Sequence, residues 1–322
     1  MKINLANIKK AKKLLKKKEC VAIPTETVYG LAGDAYSDQA CKKIFKLKKR
    51  PKNNPLIVHY YNYQSLKKDC NLDNNFLKLY KKFCPGPITF ILNLKKKSKI
   101  SRIATNKKKT LAVRFPRHPI TRNLLKRLDF PLAAPSANLS TRVSAVSSND
   151  VREDFGKKIK YVLEGGKSSI GLESTIVDLR NKPKILRLGG LKTSTIQNFL
   201  KKKITINNNP SKISSPGQFK LHYSPGIPIR LNKKKIDINE AYLLIKKRRE
   251  RKPNYFYLTK KGNMKEAAKN LYSILRKIKK KNYKSIAVCK IPDKGLGKTI
   301  NDRLIRASKF KCLFSIILVN LK

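Results

Sequence analysis

Apolar positions along the first two hundred residues recur in two periods. Over 7–18 they fall at helical spacing with lysines between them, and helical spacing returns over 38–48. Between these, 20–23 is a short unbroken apolar run, the pattern of a buried strand. Further strands are predicted at 56–59, 88–94, 111–115, 161–163, 175–179 and 184–188. Some of these runs follow one another with no helical stretch between them, so the sheet is predicted to be mixed rather than doubly wound and parallel. The expectation for 1–203 is an α/β domain on a twisted mixed sheet. Asparagines and a proline at 207–210, then serines, prolines and glycines at 214–217 and 224–228, break the pattern and predict a linker over 204–230. The alternation resumes with strands at 241–245 and 255–258, a helix at 264–279, a strand at 285–291 and a helix at 296–308. That run suits a smaller α/β, Rossmann-like domain over 231–322. No internal repeat is present.

Charge adds an ambiguity. With 77 Lys and Arg against 19 Asp and Glu, the formal net charge is +58, which attracts polyanions such as tRNA. Lysine runs occur on every segment, however, and specific phosphate recognition uses arginine forks at fixed positions, so the charge is read as solvated faces under a lysine bias. The six cysteines include no C-x-x-C pair and no His spacing that suggests zinc, and are expected to be small buried hydrophobes. Near the start, Ile3, Leu5, Ile8, Leu14 and Leu15 are interleaved with lysine rather than gathered into a signal core, and no apolar run is long enough for a membrane span. A cytoplasmic protein without membrane contact is expected.

Two segments approach a phosphate-binding loop without matching it. The runs ending Gly166-Lys167-Ser168 and Gly297-Lys298-Thr299 have Tyr161 and Pro292 where the first glycine must stand. A Ser-His-Asp hydrolase is disfavoured as well: Ser136 lies in a Pro-Ser-Ala-Asn context without the nucleophile elbow, and His59 after an apolar run reads first as a packed histidine.

Four segments together carry chemistry. Residues 23–31, Ile-Pro-Thr-Glu-Thr-Val-Tyr-Gly-Leu, place a hydroxyl-rich loop directly after a strand, where α/β sheets hold small polar ligands. Residues 48–56 put Lys48, Lys49, Arg50 and Lys52 beside a turn, suited to a triphosphate, although cations at a helix C-terminus also complement its dipole. Arg114 sits among apolar neighbours, and a buried guanidinium needs a carboxylate or phosphate partner. Residues 133–138, Ala-Ala-Pro-Ser-Ala-Asn, are small enough for a ligand to approach the backbone.

These motifs resemble those of the threonylcarbamoyl-AMP synthases, which have a YrdC-like catalytic domain, in their longer form with a C-terminal domain. The likeness rests on P-T-E-T-V-Y-G-L (24–31), K-x-R (Lys48, Arg50), A-V-R-F-P (112–116), A-P-S-A-N (134–138), G-x-E-S-T (171–175), L-R-x-G (186–189), S-P-G-x-x-x-x-H-Y-S-P (215–225) and G-L-G-x-x-I-N-D-R-L (295–304). The resemblance implies that L-threonine and bicarbonate form N-carboxy-threonine, whose carboxylate attacks the α-phosphate of ATP and releases pyrophosphate. Carried over by position, it implies a threonine pocket of Thr27, His59, Arg114, Ala134 and Ser174, with Arg114 on the amino-acid carboxylate. ATP, with its magnesium, would contact Lys48, Arg50, Asn54, Thr110, Ser136, Asn138, Ser144 and Arg187, with Tyr223 reaching over from the linker as part of a lid. No protein nucleophile or base is implied, since such displacements need alignment and charge neutralisation. A threonylcarbamoyl transferase acting on tRNA is the implied downstream partner, with weak tRNA contact possible. Two departures stand out: Gln218 where methionine is common in the family, and a lysine-rich stretch over 102–109.

Two other readings compete. A double-stranded RNA or tRNA-binding protein of the same fold would show aromatics interleaved with basic residues on one surface, and no such stripe is seen. The carbamoyltransferase of hydrogenase maturation shares the YrdC-like domain but carries C-x-x-C pairs and an acylphosphatase segment, both missing here.

Overall fold

The computed structural model describes residues 3–207, 219, 221–234, 236–250 and 252–310. The linker residues Pro216, Gly217 and Gln218, and Cys312, lie outside them. The chain divides into two compact units, one of residues 1–140 with 144–218 and one of residues 141–143 with 219–322.

The strands of the first unit are β1 (Val21–Ile23), β2 (Gly30–Asp34), β3 (Ile57–His59), β4 (Ile88–Asn93), β5 (Thr110–Arg114), β6 (Leu132–Ala133), β7 (Tyr161–Val162), β8 (Thr175–Asp178), β9 (Lys184–Arg187) and β10 (Thr205–Ile206). They form one sheet in the order β10-β9-β8-β4-β5-β3-β6-β2-β1-β7. It is mixed, as the runs without intervening helices predict. β3 and β5 are parallel, as are β4 and β8, whereas β4 runs antiparallel to β5 and β6 antiparallel to β3.

The period of two sorts the central strands onto two faces. Val58, Phe90, Val113 and Val177 join the large core, with Phe76 packed edge-on against Phe90 at 5.1 Å. The alternate residues Ile57, Ile91, Ala112 and Ile176 form a small separate cluster on the opposite face with Leu186. The same alternation puts Thr110 and Arg114 on the face of Ala112, His59 with Ile57, and Thr89 with Ile91. At the other end of the sheet, Val21, Ile23 and Ala32 pack against apolar residues of the helices Leu5–Lys16 and Pro119–Lys126.

β2 lies where the sequence reading places a loop running to residue 31. Its residues Gly-Leu-Ala-Gly-Asp carry little strand propensity, yet all five are buried. Gly33 lies against Ile44 and Ala40, where a Cβ would come within 3.2 Å and 3.4 Å. Pairing with β1 on one side and β6 on the other holds this segment as a strand, and the close approach of the helix Asp38–Lys48 leaves room only for glycine at 33 without a shift. Helices at Asn74–Phe83, Ser148–Phe155 and Thr193–Leu200 also go beyond the sequence reading.

The second unit has β11 (Ile229–Arg230), β12 (Glu240–Lys246), β13 (Tyr255–Thr259) and β14 (Ser285–Val288) in the order β11-β14-β12-β13, all parallel. The helix Met264–Lys280 buries Ala267, Ala268, Leu271, Tyr272, Leu275 and Ile278, one stripe at helical spacing.

Candidate functional site

The loop after β1 is built around Thr25. Its hydroxyl donates to the Val28 carbonyl at 2.6 Å and accepts from the Thr27 and Val28 amides at 3.2 and 3.3 Å, a hydroxyl-centred turn. Cross-links hold this turn in place: the Ile170 amide donates to the Glu26 carbonyl at 2.8 Å and the Ser168 hydroxyl to the Thr25 carbonyl at 2.9 Å. Thr27, fully buried, lies with its hydroxyl 2.9 Å from that of Thr25.

Arg114 ends β5 directly beside this loop. Its Nη2 donates to Glu26 Oε1 at 2.8 Å and reaches Thr25 Oγ1 at 3.4 Å, and Glu26 Oε2 accepts the Arg117 amide at 2.9 Å. The buried guanidinium thus has a carboxylate partner within the chain, where the sequence reading assigns only the substrate's. Arg114 Nε is buried and has no hydrogen-bond partner. Burial alone would raise the Glu26 carboxyl, but the Arg114 charge and hydrogen bond outweigh it and hold it below the usual carboxylate range.

His59 and Thr89 flank Arg114 in register, one from β3 and one from β4. Burial first, and then the Arg114 charge, lower His59 to about 3, so its imidazole is neutral; its Nδ1 is buried without a partner. This sets a pH dependence. The unfolded chain gains a proton on His59 near pH 6.5 that the folded chain refuses until about 3, so stability falls as pH drops below 6.5. The expected slope is about 1.4 kcal/mol per pH unit from this group, His118 adds in the same direction, and Glu26 adds its own loss only at lower pH. Urea midpoints at pH 7, 6 and 5 should show the fall, and His59→Gln should flatten most of it.

On the far side of β4, the Ser174 hydroxyl is 2.7 Å from that of Thr89. Arg187 grips the same residue, with Nε and Nη2 on the Ser174 carbonyl at 3.1 and 2.9 Å and Nη2 on its hydroxyl at 3.1 Å. The Ser144 hydroxyl donates to Glu173 Oε1 at 2.7 Å. His59, Arg114 and Ser174 therefore lie together at one end of the central strands, with Thr27 beside them through Thr25, and Ala134 follows β6 with its amide on the Ile57 carbonyl at 2.9 Å. Glu26, Thr89 and Glu173 escaped the sequence reading. Both glutamates lie inside quoted motifs, 24–31 and 171–175, and a buried arginine in a strand needs some carboxylate, but nothing local says that Glu26 is the one it meets; no sequence signal marks Thr89.

The candidate ATP residues are more dispersed. The helix Asp38–Lys48 ends with Lys49 in the left-handed conformation, which turns the chain so that Arg50 Nε and Nη2 donate to the Asn54 and Pro55 carbonyls at 2.9 and 2.8 Å. Asn54 Oδ1 is buried without a partner. Lys48 is fully buried, its Nζ on the carbonyls of Ser136 and Asn138 at 2.5 Å each, so it pins the 134–138 loop from beneath. Burial, helped by the Arg50 charge, pushes its pKa well down. Thr110 lies on the face of Arg114 at the opposite end of β5, on the order of 13 Å away along the strand. A cavity of about 800 Å³ opens beside Arg50, lined by Lys42, Lys46, Lys52, Arg102 and Lys107 among others; Arg50 is its only candidate site residue. Tyr223 belongs to the second unit, where its ring stacks on Tyr272 at 5.9 Å and lies 4.6 Å below the Arg303 guanidinium.

Comparison with known proteins supplies the identification. Residues 13–189 match a family model described as "Telomere recombination", of the Sua5/YciO/YrdC type, and residues 191–309 match the threonylcarbamoyl-AMP synthase C-terminal domain. The chain belongs to the threonylcarbamoyl-AMP synthase family. It is an enzyme of the nucleotidyl-transfer type. The Pyrococcus abyssi synthase is 33% identical, with 91% of each chain covered, and that of Bacillus subtilis is 31% identical, with 95% of this chain and 94% of the relative covered. The crystal structure of P. abyssi Sua5 complexed with L-threonine superposes with a TM-score of 0.89 at 31% identity over 96% of both chains. No helix among the described residues is long and apolar enough to cross a membrane.

Proposed function

We propose that this chain joins L-threonine, bicarbonate and ATP into threonylcarbamoyl-AMP. The amine of threonine adds to bicarbonate-derived carbon with loss of water, giving N-carboxy-threonine. Its new carboxylate then displaces pyrophosphate from the α-phosphate of ATP. The observation that carries the reading is the buried Arg114, its Nε without a partner, at the end of the central strands where His59 and Ser174 also lie. In this reading Arg114 takes the threonine carboxylate, Thr27, Ala134 and Ser174 line the remainder of the pocket, and neutral His59 adds no competing charge. ATP runs along the same face towards Thr110, with Arg50, Asn54, Ser136, Asn138, Ser144 and Arg187 as its further contacts. Lys48 contributes by fixing the carbonyls of the 134–138 loop. Magnesium enters bound to the ATP phosphates, as part of the substrate.

The product is a mixed anhydride of a carbamic and a phosphoric acid, a reactive acyl donor. Its consumer is a transferase that passes the threonylcarbamoyl group to an adenosine next to the tRNA anticodon. The +58 charge favours weak, salt-dependent contact with that tRNA. Pyrophosphate release from the purified chain with ATP, magnesium and bicarbonate should require L-threonine and fall sharply with L-serine. Release that is the same with and without threonine would refute the reading.

A further inference from the structure

The Arg114–Glu26 pair does more than the proposed threonine pocket asks of a carboxylate-binding arginine. Both side chains are about nineteen-twentieths buried, with relative exposures of 5% and 6%. Buried ion pairs contribute little net stability compared with apolar residues of the same size, so stability alone does not account for one here. The geometry is restrictive at every joint. Glu26 Oε1 takes Arg114 Nη2 at 2.8 Å while Oε2 takes the Arg117 amide at 2.9 Å, so neither carboxylate oxygen is free to rotate away. The Glu26 backbone is held in turn by the Ile170 amide at 2.8 Å. Thr25 Oγ1, which organises the loop, sits 3.4 Å from the same Nη2. One corner of the guanidinium is thereby committed, and Nε remains as a buried donor without a partner.

From this we infer that Glu26 is a positioning residue: it fixes the rotamer of Arg114 from the side of the 24–29 loop, so that the remaining guanidinium donors are presented to the carboxylate of the amino-acid substrate. The inference rests on the assignment of Arg114 to threonine made above. It makes Glu26 a standing anion that neither contacts substrate nor exchanges protons during turnover. Without it, a long side chain with several rotatable bonds would have to be ordered by threonine itself, and threonine affinity would carry that cost.

The test is calorimetric titration of L-threonine and, separately, of a non-hydrolysable ATP analogue into the full chain and its Glu26→Gln, Arg114→Ala and doubly substituted forms. Gln keeps the size of Glu26 and an acceptor for the Arg117 amide but removes the charge that holds Nη2. Glu26→Gln should weaken threonine at least tenfold and leave the ATP analogue within twofold. In the Arg114→Ala background it should weaken threonine by less than a further twofold, because the residue it acts through is gone. Wild-type threonine affinity in a folded Glu26→Gln protein overturns the inference, as does a parallel loss of threonine and ATP, which is the mark of a merely structural role. Should Arg114→Ala bind threonine like the wild type, the pocket assignment itself falls and takes the inference with it. If Glu26→Gln does not fold, Glu26→Asp, which keeps the charge one methylene short of its partners, should show the same threonine-specific loss; wild-type binding by that variant counts against the inference equally.

Discussion

Arg114→Ala is expected to reduce kcat/KM for threonine by more than tenfold and to lower stability in the same stroke. Charge-assisted hydrogen bonds are worth roughly 1.5–3 kcal/mol each, a factor of about ten to a hundred and fifty in binding. Removing the guanidinium also strands Glu26, whose carboxylate has Arg114 as its ion-pair partner at 2.8 Å. Leaving one member of a buried pair uncompensated typically costs about 3–5 kcal/mol. The two losses are separable. Adding Glu26→Gln removes the stranded charge and should restore much of the stability, while threonine turnover stays low. Urea unfolding of the single and double variants, set beside initial rates at varied threonine, checks both halves. Full recovery of turnover in the double variant would mean that Arg114 serves the fold alone.

Gly189→Ala should have a comparable effect through backbone geometry. A Cβ at this position would stand 2.3 Å from the Ser174 carbonyl carbon and the Thr175 amide nitrogen, and 2.5 Å from the Glu173 oxygen. These are backbone atoms, which cannot swing aside as a side chain would. Relief requires the segment after β9 to part from the turn leading into β8, which breaks the bond from the Gly190 amide to the Glu173 carbonyl and shifts Ser174 against Thr89 and Arg187. Overpacking of this kind costs about 1–3 kcal/mol. A single methyl group should therefore lower the urea midpoint and weaken threonine binding together. By contrast, Gly166→Ala, where a Cβ meets nothing within 4 Å, should show only the strain of a left-handed residue.

Parts of the site were legible in the sequence because their chemistry is local. The hydroxyl-rich stretch at 24–29, the cations at 48–50 and an arginine inside an apolar run are each visible without knowing what lies opposite. Some helix starts went unread although they carry caps: Asp73 accepts the Phe76 amide at 2.7 Å, and Ser147 with Asp150 forms a capping box. These helices have short, lysine-rich or polar faces with few buried positions, so periodicity alone does not find them.

The sequence by itself determined the mixed α/β character and the residue types gathered for an anionic substrate, because alternation and buried charge are properties of neighbouring positions. The tertiary structure alone decided which of those residues meet. Glu26 and Arg114 stand 88 positions apart, as do Lys48 and Ser136, while Thr89 and Ser174 are separated by 85. It also decided that Lys48 turns inward to hold carbonyls and that β2, weak in propensity, is a strand. Such contacts are fixed by strand order and register across the sheet, which depend on the packing of the whole core and leave no periodic trace in the sequence.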